Sequence, residues 1–240
     1  MLPSHWSLPL NVGMAITRRT GGYSLAPWDS LNLGDHVGDN PMHVVANRLR
    51  LQTELALPAL PAWLNQVHGT SVLELPLAED NCADGSFSRS PHQVCTVMTA
   101  DCLPVLLCDD AGTQVAALHA GWRGLCDGIL EIGVAKFSCP PAQVRAYFGP
   151  CIGPSAFEVG SEVRAAFISR HADDDTAFTA LCADKYLADL AKLAELRLAR
   201  VGVQQFFHSH QCTFTLKDEY FSYRRDGVTG RQASLIWLKD

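Results

Sequence analysis

The stretch VCTVMTADCLPVLLCDDAGTQVAALH, residues 94–119, decides the fold. It holds three apolar runs rich in Val, Leu and Thr, at 94–99, 104–108 and 114–119, divided by turns that carry Asp and Gly. Runs of that length and composition between turn formers read as strands. Strands that follow one another without an intervening helix rule out simple strand–helix alternation, so the class is α+β with a mixed sheet.

Working outward, further strands are expected at 12–17, 62–67, 71–75, 203–209 and 234–238. A Gly-rich polar loop fills 18–39. Asn40 followed by Pro41 is an N-cap and first helical position, opening a helix to about Leu55 with Val44, Val45, Ala46, Leu49 and Leu55 as its apolar positions against the sheet. Helices are also expected at 125–137, at 162–170 behind a Ser161 cap, and at 186–201, where Leu187, Leu190, Leu193 and Val201 recur at helical spacing before Gly202.

The chain has 240 residues, 48% hydrophobic and 18% charged, which is enough apolar material for a full core and too little charge for a disordered chain. No linker or charge run divides it, so one domain over residues 1–240 is expected. Nineteen basic and twenty-five acidic residues give a net charge of −6, with no Lys/Arg block to track a phosphodiester backbone, so nucleic acid is not an expected partner. The first ten residues lack the form of a signal peptide and no apolar run is long enough to span a bilayer, so a cytoplasmic protein with no membrane partner is expected. Nine cysteines, an odd number in a long chain, read as reduced thiols, with Cys95, Cys108, Cys126 and Cys182 serving as small hydrophobes.

Three segments place a metal-competent residue at a strand end or turn: Asn65-Gln66-Val67-His68-Gly69, Thr99-Ala100-Asp101-Cys102, and His119-Ala120-Gly121-Trp122-Arg123-Gly124. Two imidazoles and a thiolate suit a borderline-soft ion such as zinc, and three protein ligands leave a fourth position open for chemistry. The same residue types also serve as a buried thiol and two hydrogen-bonded histidines. Ligand gaps of 102 − 68 = 34 and 119 − 102 = 17 match no short metal signature, so spacing alone leaves both readings open.

The motifs NQVHG, TADCLPVLL, HAGWRG and GPCIG, in that order, resemble the bacterial laccase-domain family, also called the polyphenol oxidoreductase or purine nucleoside phosphorylase-like family. TRRTGGYSLAPWDSLNLGDHVGDNP and the following NRLRL near the start, and FSYRRDGVTGRQASLIWL at the end, extend the likeness over nearly the whole chain. The resemblance implies a mixed α/β sandwich similar to the catalytic domain of cytotoxic necrotizing factor. It also implies a metal site of His68, Cys102 and His119, holding Zn2+ or, by substitution, Cu2+.

The activities the resemblance implies are phosphorolysis of adenosine, inosine, guanosine and methylthioadenosine, and deamination of adenosine. The expected partners are then purine nucleosides and phosphate, for a monomer or weak homodimer. Deamination needs a proton shuttle, for which Asp101 is the nearest carboxylate in sequence, beside its plainer role as a turn former. Phosphorolysis needs a guanidinium for phosphate. Arg123 is the first choice, with Arg18, Arg19, Arg224 and Arg225 as others and a surface salt bridge as the plainer role of each. Asn32, His36 and Asp39 sit on the Gly-flexed loop, where Asn32 and His36 are candidate substrate contacts. Cys151 of GPCIG is read as packing rather than reactive.

Two other enzyme classes use the same residues. A copper polyphenol oxidase would employ the two histidines and the cysteine, but a trinuclear copper cluster needs several His-x-His pairs and the chain offers His208-Ser209-His210 alone. A cysteine hydrolase would use Cys102 as nucleophile with His119 or His68 as base, and relatives have been linked to editing of peptidoglycan precursors. A non-catalytic binding protein is disfavoured by the open ligand set.

Overall fold

The computed structural model describes residues 3–78 and 80–239. The chain runs β1 (Val12–Ile16), α1 (Pro41–Glu54), β2 (Val72–Glu74), β3 (Gly85–Ser88), β4 (Val94–Thr99), β5 (Leu103–Asp109), β6 (Val115–Ala120), α2 (Trp122–Asp127) and α3 (Ile129–Ala135). It continues through β7 (Val144–Phe148), β8 (Glu158–Gly160), α4 (Ser161–Ile168), β9 (Phe178–Ala180), β10 (Lys185–Ala188), α5 (Leu190–Arg200), β11 (Gln205–His208), α6 (Tyr223–Asp226) and β12 (Gln232–Leu238).

A six-stranded mixed sheet in the order β11-β7-β5-β6-β3-β2 and a three-stranded antiparallel sheet, β1-β12-β4, form the centre. Strand alternation gives each sheet two dry faces. Leu106 and Cys108 on β5, and Val115 and Ala117 on β6, meet Cys95, Val97 and Ile236 of the smaller sheet. The opposite positions, Val105, Leu107, Ala116 and Leu118, pack under α2, α3 and α5 through Leu125, Ile129, Leu130, Leu193 and Leu198. The far face of the small sheet is covered by α1 and the loop before it, through Leu31, Leu33, Leu51, Met98 and Leu235. The result is a four-layer mixed α/β arrangement, with a third small sheet, β8-β10-β9, beside the helices.

The three strands of 94–119 form as expected, but β4 belongs to the small sheet and β5 and β6 to the large one. The chain therefore changes sheet at Ala100–Cys102. Asn40 caps α1 by accepting from the Met42 N–H at 3.0 Å, and Pro41 opens it. The buried face of α1 is Val44, Asn47 and Leu51, whereas Val45 and Leu49 are exposed. Asn47 replaces an apolar contact because its amide ties the loop down, donating to Ser24, Ser30 and Asn32.

Other expectations are corrected. Residues 62–67 form no strand; Pro61 and Asn65 make single bridges only. The helix expected at 125–137 begins earlier, at Trp122, and breaks at Gly128, whose φ of 107° closes α2 and starts α3. Ser161 is the first helical residue of α4 and caps nothing, since Gly160 holds the cap position. The expected helix at 186–201 starts only at Leu190, because Asp189 accepts from the Lys192 N–H and so fixes the N-terminus. Tyr186 and Leu187 instead pair on both sides within β10. Cys182 is exposed, not packed. None of the described helices is long and apolar enough to cross a membrane.

Candidate metal centre

The β3–β6 ladder pairs Gly85 with Leu118, so the next residues along, Asp84 and His119, face each other. The backbone N–H of His119 donates to the Asp84 carbonyl at 2.7 Å, and His119 Nδ1 lies 2.7 Å from Asp84 Oδ1. Asp84 is fully buried, and its carboxylate also accepts the N–H groups of Val67 at 3.1 Å, His68 at 2.9 Å and Gly69 at 2.7 Å. Those bonds hold His68 in the left-handed region at φ 60°. One carboxylate thus fixes the backbone of one histidine and the ring of the other. Burial pushes the Asp84 pKa up, but the bonds from His119, Gly69 and Val67 outweigh it and hold the group below the usual carboxylate range. The same loop is tied to β4 by Gln66, whose amide donates to the Met98 carbonyl at 2.8 Å and accepts the Met98 N–H at 2.7 Å.

Cys102 comes from the corner where the chain leaves β4 for β5. Asp101 turns that corner at φ 94°, and its oxygens accept from Thr213 Oγ1 and from the backbone N–H of Arg224, each at 2.7 Å. Cys102 Sγ lies 3.9 Å from His68 Nε2, and the His68 and His119 rings meet edge to face with centroids 4.8 Å apart. One ligand atom from each of the three residues lies within 4.8 Å of the others. Tetrahedral zinc with ordinary bond lengths separates a nitrogen and a sulfur ligand by about 3.6 Å.

Gly121 follows β6 and leaves the space these atoms need. A Cβ there would sit 2.8 Å from His68 Cδ2 and 3.2 Å from Cys102 Sγ. With Nδ1 of His119 engaged by Asp84, Nε2 is the nitrogen left for an ion, the usual way a carboxylate sets a ligand tautomer. The donors, the room and the orientation fit a zinc-type ion. Burial raises the Cys102 thiol, yet the adjacent His119 and His68 outweigh it and bring its pKa to about 6. Burial lowers His119, but the Cys102 sulfur and Asp84 raise it to about 9. The pair therefore favours thiolate beside imidazolium when no ion shares it, and a thiolate is the form that binds metal.

A cavity of about 140 Å³ opens beside Cys102, walled by Asp101, Trp122, Ile152, Phe157, Tyr223 and Arg224 among others. A larger one, about 550 Å³, lies behind Ile152 between the 149–155 loop, the start of α5 and His208–Cys212. It touches none of the three metal-competent residues. Its Cys151 is buried, which pushes the thiol far up, consistent with a packing role.

The remaining candidates are placed as follows. Asp101 is at the site, with both oxygens committed to Thr213 and Arg224. Arg123 is exposed, stacks on Trp122 at 4.3 Å, and faces a separate concavity with Asp127 and Arg170. Asn32 is fully buried and spends its amide on Gly34, Asp39 and the Arg231 N–H. His36 is exposed beside Asp35, its pKa lowered by partial burial and by Arg231. Arg18 is exposed and paired with Glu219. Arg19 is engaged by Asp29 and by the Lys217 carbonyl, and Arg225 by Asp226 and by backbone carbonyls. Sequence reading missed Asp84, Gly121, Tyr223 and Arg231. Asp84 lies next to β3, whose Gly-Ser-Phe-Ser run lacks strand signature; Arg231 lay in a motif already quoted but was not singled out.

Residues 13–239 match the model of a family described as multi-copper polyphenol oxidoreductase laccase. The chain is 54% identical to a Shigella flexneri protein named purine nucleoside phosphorylase YfiH, over 99% of this chain and 98% of the relative. It is 48% identical to a purine nucleoside phosphorylase of Haemophilus influenzae, over 98% of each. Among solved structures, a Neisseria meningitidis protein of the DUF152 family superposes with a TM-score of 0.95 at 49% identity, over 98% of this chain and 97% of that one.

Proposed function

We propose that this chain, which belongs to the family described as multi-copper polyphenol oxidoreductase laccase, is a zinc-dependent purine nucleoside phosphorylase. The observation that carries the reading is the set His68, Cys102 and His119, its two histidines held by Asp84 and its Cys102 lining a cavity. The names of its relatives supply the reaction class. The substrates are purine nucleosides, with adenosine, inosine, guanosine and methylthioadenosine as the series to test, and inorganic phosphate. Adenosine deamination is proposed at the same centre. Among the described residues this is the one group of three His, Cys, Asp or Glu donors close enough to share an ion. The reading is therefore a single-ion enzyme, not a multi-copper one, and Cu2+ is proposed only as a substitute on the same ligands.

A divalent ion held by His68, Cys102 and His119 would supply Lewis acidity there. The protein's own residues do the rest. Asp84 keeps His119 in one tautomer and His68 in one backbone conformation, so the ligands are set before substrate arrives. Trp122, Phe157 and Tyr223 offer aromatic surface to a purine, while Ile152 and Leu190 keep the wall dry. A cation on that wall stabilises the phosphate as positive charge develops at the ribose carbon and the base departs.

A cysteine hydrolase is a second reading, favoured by the chain Asp84–His119–Cys102 and the lowered Cys102 pKa. Adenosine incubated with and without inorganic phosphate tests the first reading. Wild type is expected to release adenine only with phosphate and to form inosine without it, and Cys102→Ala to lose both. Adenine release that ignores phosphate refutes it.

A further inference from the structure

Most arginines of the described residues sit against carboxylates: Arg18 against Glu219, Arg145 against Asp110 at 2.6 Å, Arg197 against Glu131 at 2.7 Å. Arg224 and Arg231 do not, nor does Arg123, which stacks on Trp122 at a separate concavity. Arg224 has Nη1 on the Glu158 carbonyl at 2.8 Å and its guanidinium over the Phe157 ring at 5.4 Å. Arg231 has Nη1 on the carbonyls of Thr229 and Gly230 at 3.1 and 3.0 Å. In each, carbonyls fix one end of the fork and leave the other donors without an acidic partner among the described residues. Arg224 is exposed, whereas Arg231 is half-buried, and a guanidinium taken partly out of water without a counter-ion is costly and keeps its field for an anion.

Both arginines bracket the corner that carries Cys102. The Arg224 backbone N–H is bonded to Asp101, and its side chain walls the cavity that Cys102 opens into. Gln232 pairs with Thr99 on β4, so Arg231 lies opposite Ala100, one residue before Asp101. Burial lowers the Arg231 pKa, and the groups acting back on it are Cys102, Asp101 and Tyr223.

Arg231 is also seated by the loop that covers the small sheet. Asn32 accepts its backbone N–H at 2.9 Å, and Gly34 leaves room for its stem, since a Cβ there would meet Arg231 Cγ at 2.8 Å. The polar loop expected to touch substrate through Asn32 thus acts one step removed, by setting a cation.

We propose that Arg224 and Arg231 form the seat for inorganic phosphate beside Cys102, with Arg231 positioned by Asn32 and Gly34. This assignment rests on the phosphorylase reading.

Calorimetric titration of inorganic phosphate into the metal-containing protein tests it, using Arg224→Gln, Arg231→Gln, Arg231→Lys and a surface control, Arg50→Gln. Loss of charged hydrogen bonds should weaken phosphate binding about tenfold or more in both Gln variants. Arg231→Lys should recover little of it, because a point charge lacks the fork. Metal content and KM for the nucleoside should stay within twofold while KM for phosphate rises. Arg224→Gln and Arg231→Gln both binding phosphate like wild type would overturn the seat. Wild-type protein that neither binds phosphate nor needs it for turnover refutes the phosphorylase reading itself, and the seat with it.

Discussion

Asp84 and His119 are joined twice, by a backbone hydrogen bond and by a carboxylate–imidazole bond, both of 2.7 Å. The strand ladder that aligns the two residues is therefore also the device that orients the ring, because it holds the Asp84 carboxylate opposite His119. Three further N–H groups converge on the same carboxylate from the His68 loop. A cluster assembled from three distant segments is in this way set by one buried side chain.

Asp84→Asn tests that dependence. The amide cannot accept from four donors, and its NH2 would face an N–H, so metal affinity should fall roughly 10- to 100-fold, the usual cost of losing a ligand's carboxylate partner. The midpoint of thermal unfolding should drop as well. Metal competition with a chromophoric chelator measures the first effect, and unchanged affinity would count against Asp84 as the organiser.

Gly121→Ala adds one methyl where His68 Cδ2 would be 2.8 Å away and Cys102 Sγ 3.2 Å. We expect a folded protein with far-ultraviolet circular dichroism like wild type and less than half the metal content. Full metal occupancy would show that the ligands can relax around the extra carbon.

How much of this was legible in the sequence follows from where the information lies. Three strands and the Asn40–Pro41 helix start could be named because apolar runs and turn residues are local, whereas His68, Cys102 and His119 were set apart as a metal set by the family resemblance of their motifs. The division of β4 and β5 between two sheets could not, since both read as buried runs and periodicity carries no sheet assignment. Asp84 escaped because its strand is Gly-Ser-Phe-Ser and its partners are thirty-five residues away at His119 and fifteen to seventeen away in the His68 loop. The helix expected at 186–201 was overextended because Tyr186 and Leu187 carry on the apolar spacing of α5, although Asp189 caps it. Arg123, next to a ligand segment, looked closer to the chemistry than Arg231, which reaches the corner only through the β12–β4 ladder.

Gln66→Ala removes the side chain that satisfies both backbone groups of Met98. Leaving that donor and acceptor unpaired should cost about 1–3 kcal/mol. The midpoint of denaturant unfolding should move down, and metal dissociation should quicken because the His68 loop loses its tie to β4. A change under roughly 0.5 kcal/mol, the scatter of surface substitutions, would contradict the role.

Asp101→Asn separates two roles for this carboxylate. Its oxygens are occupied by Thr213 and the Arg224 N–H, so we expect it to position Arg224. KM for phosphate should rise about threefold or more, by weakening a charged contact, with the pH profile of kcat unchanged in shape. Loss of one limb of that profile would instead mark Asp101 as the proton shuttle.

The central claim is that one ion on His68, Cys102 and His119 serves purine nucleoside phosphorolysis. The most direct test is metal content and phosphate-dependent purine release measured on the same samples of wild type, chelator-stripped wild type, restored wild type and Cys102→Ala. Active protein should carry about one zinc per chain, lose metal and turnover together on stripping and recover both with Zn2+, and Cys102→Ala should have neither. Full turnover in metal-free protein, abolished by thiol alkylation, would contradict it and leave the cysteine hydrolase.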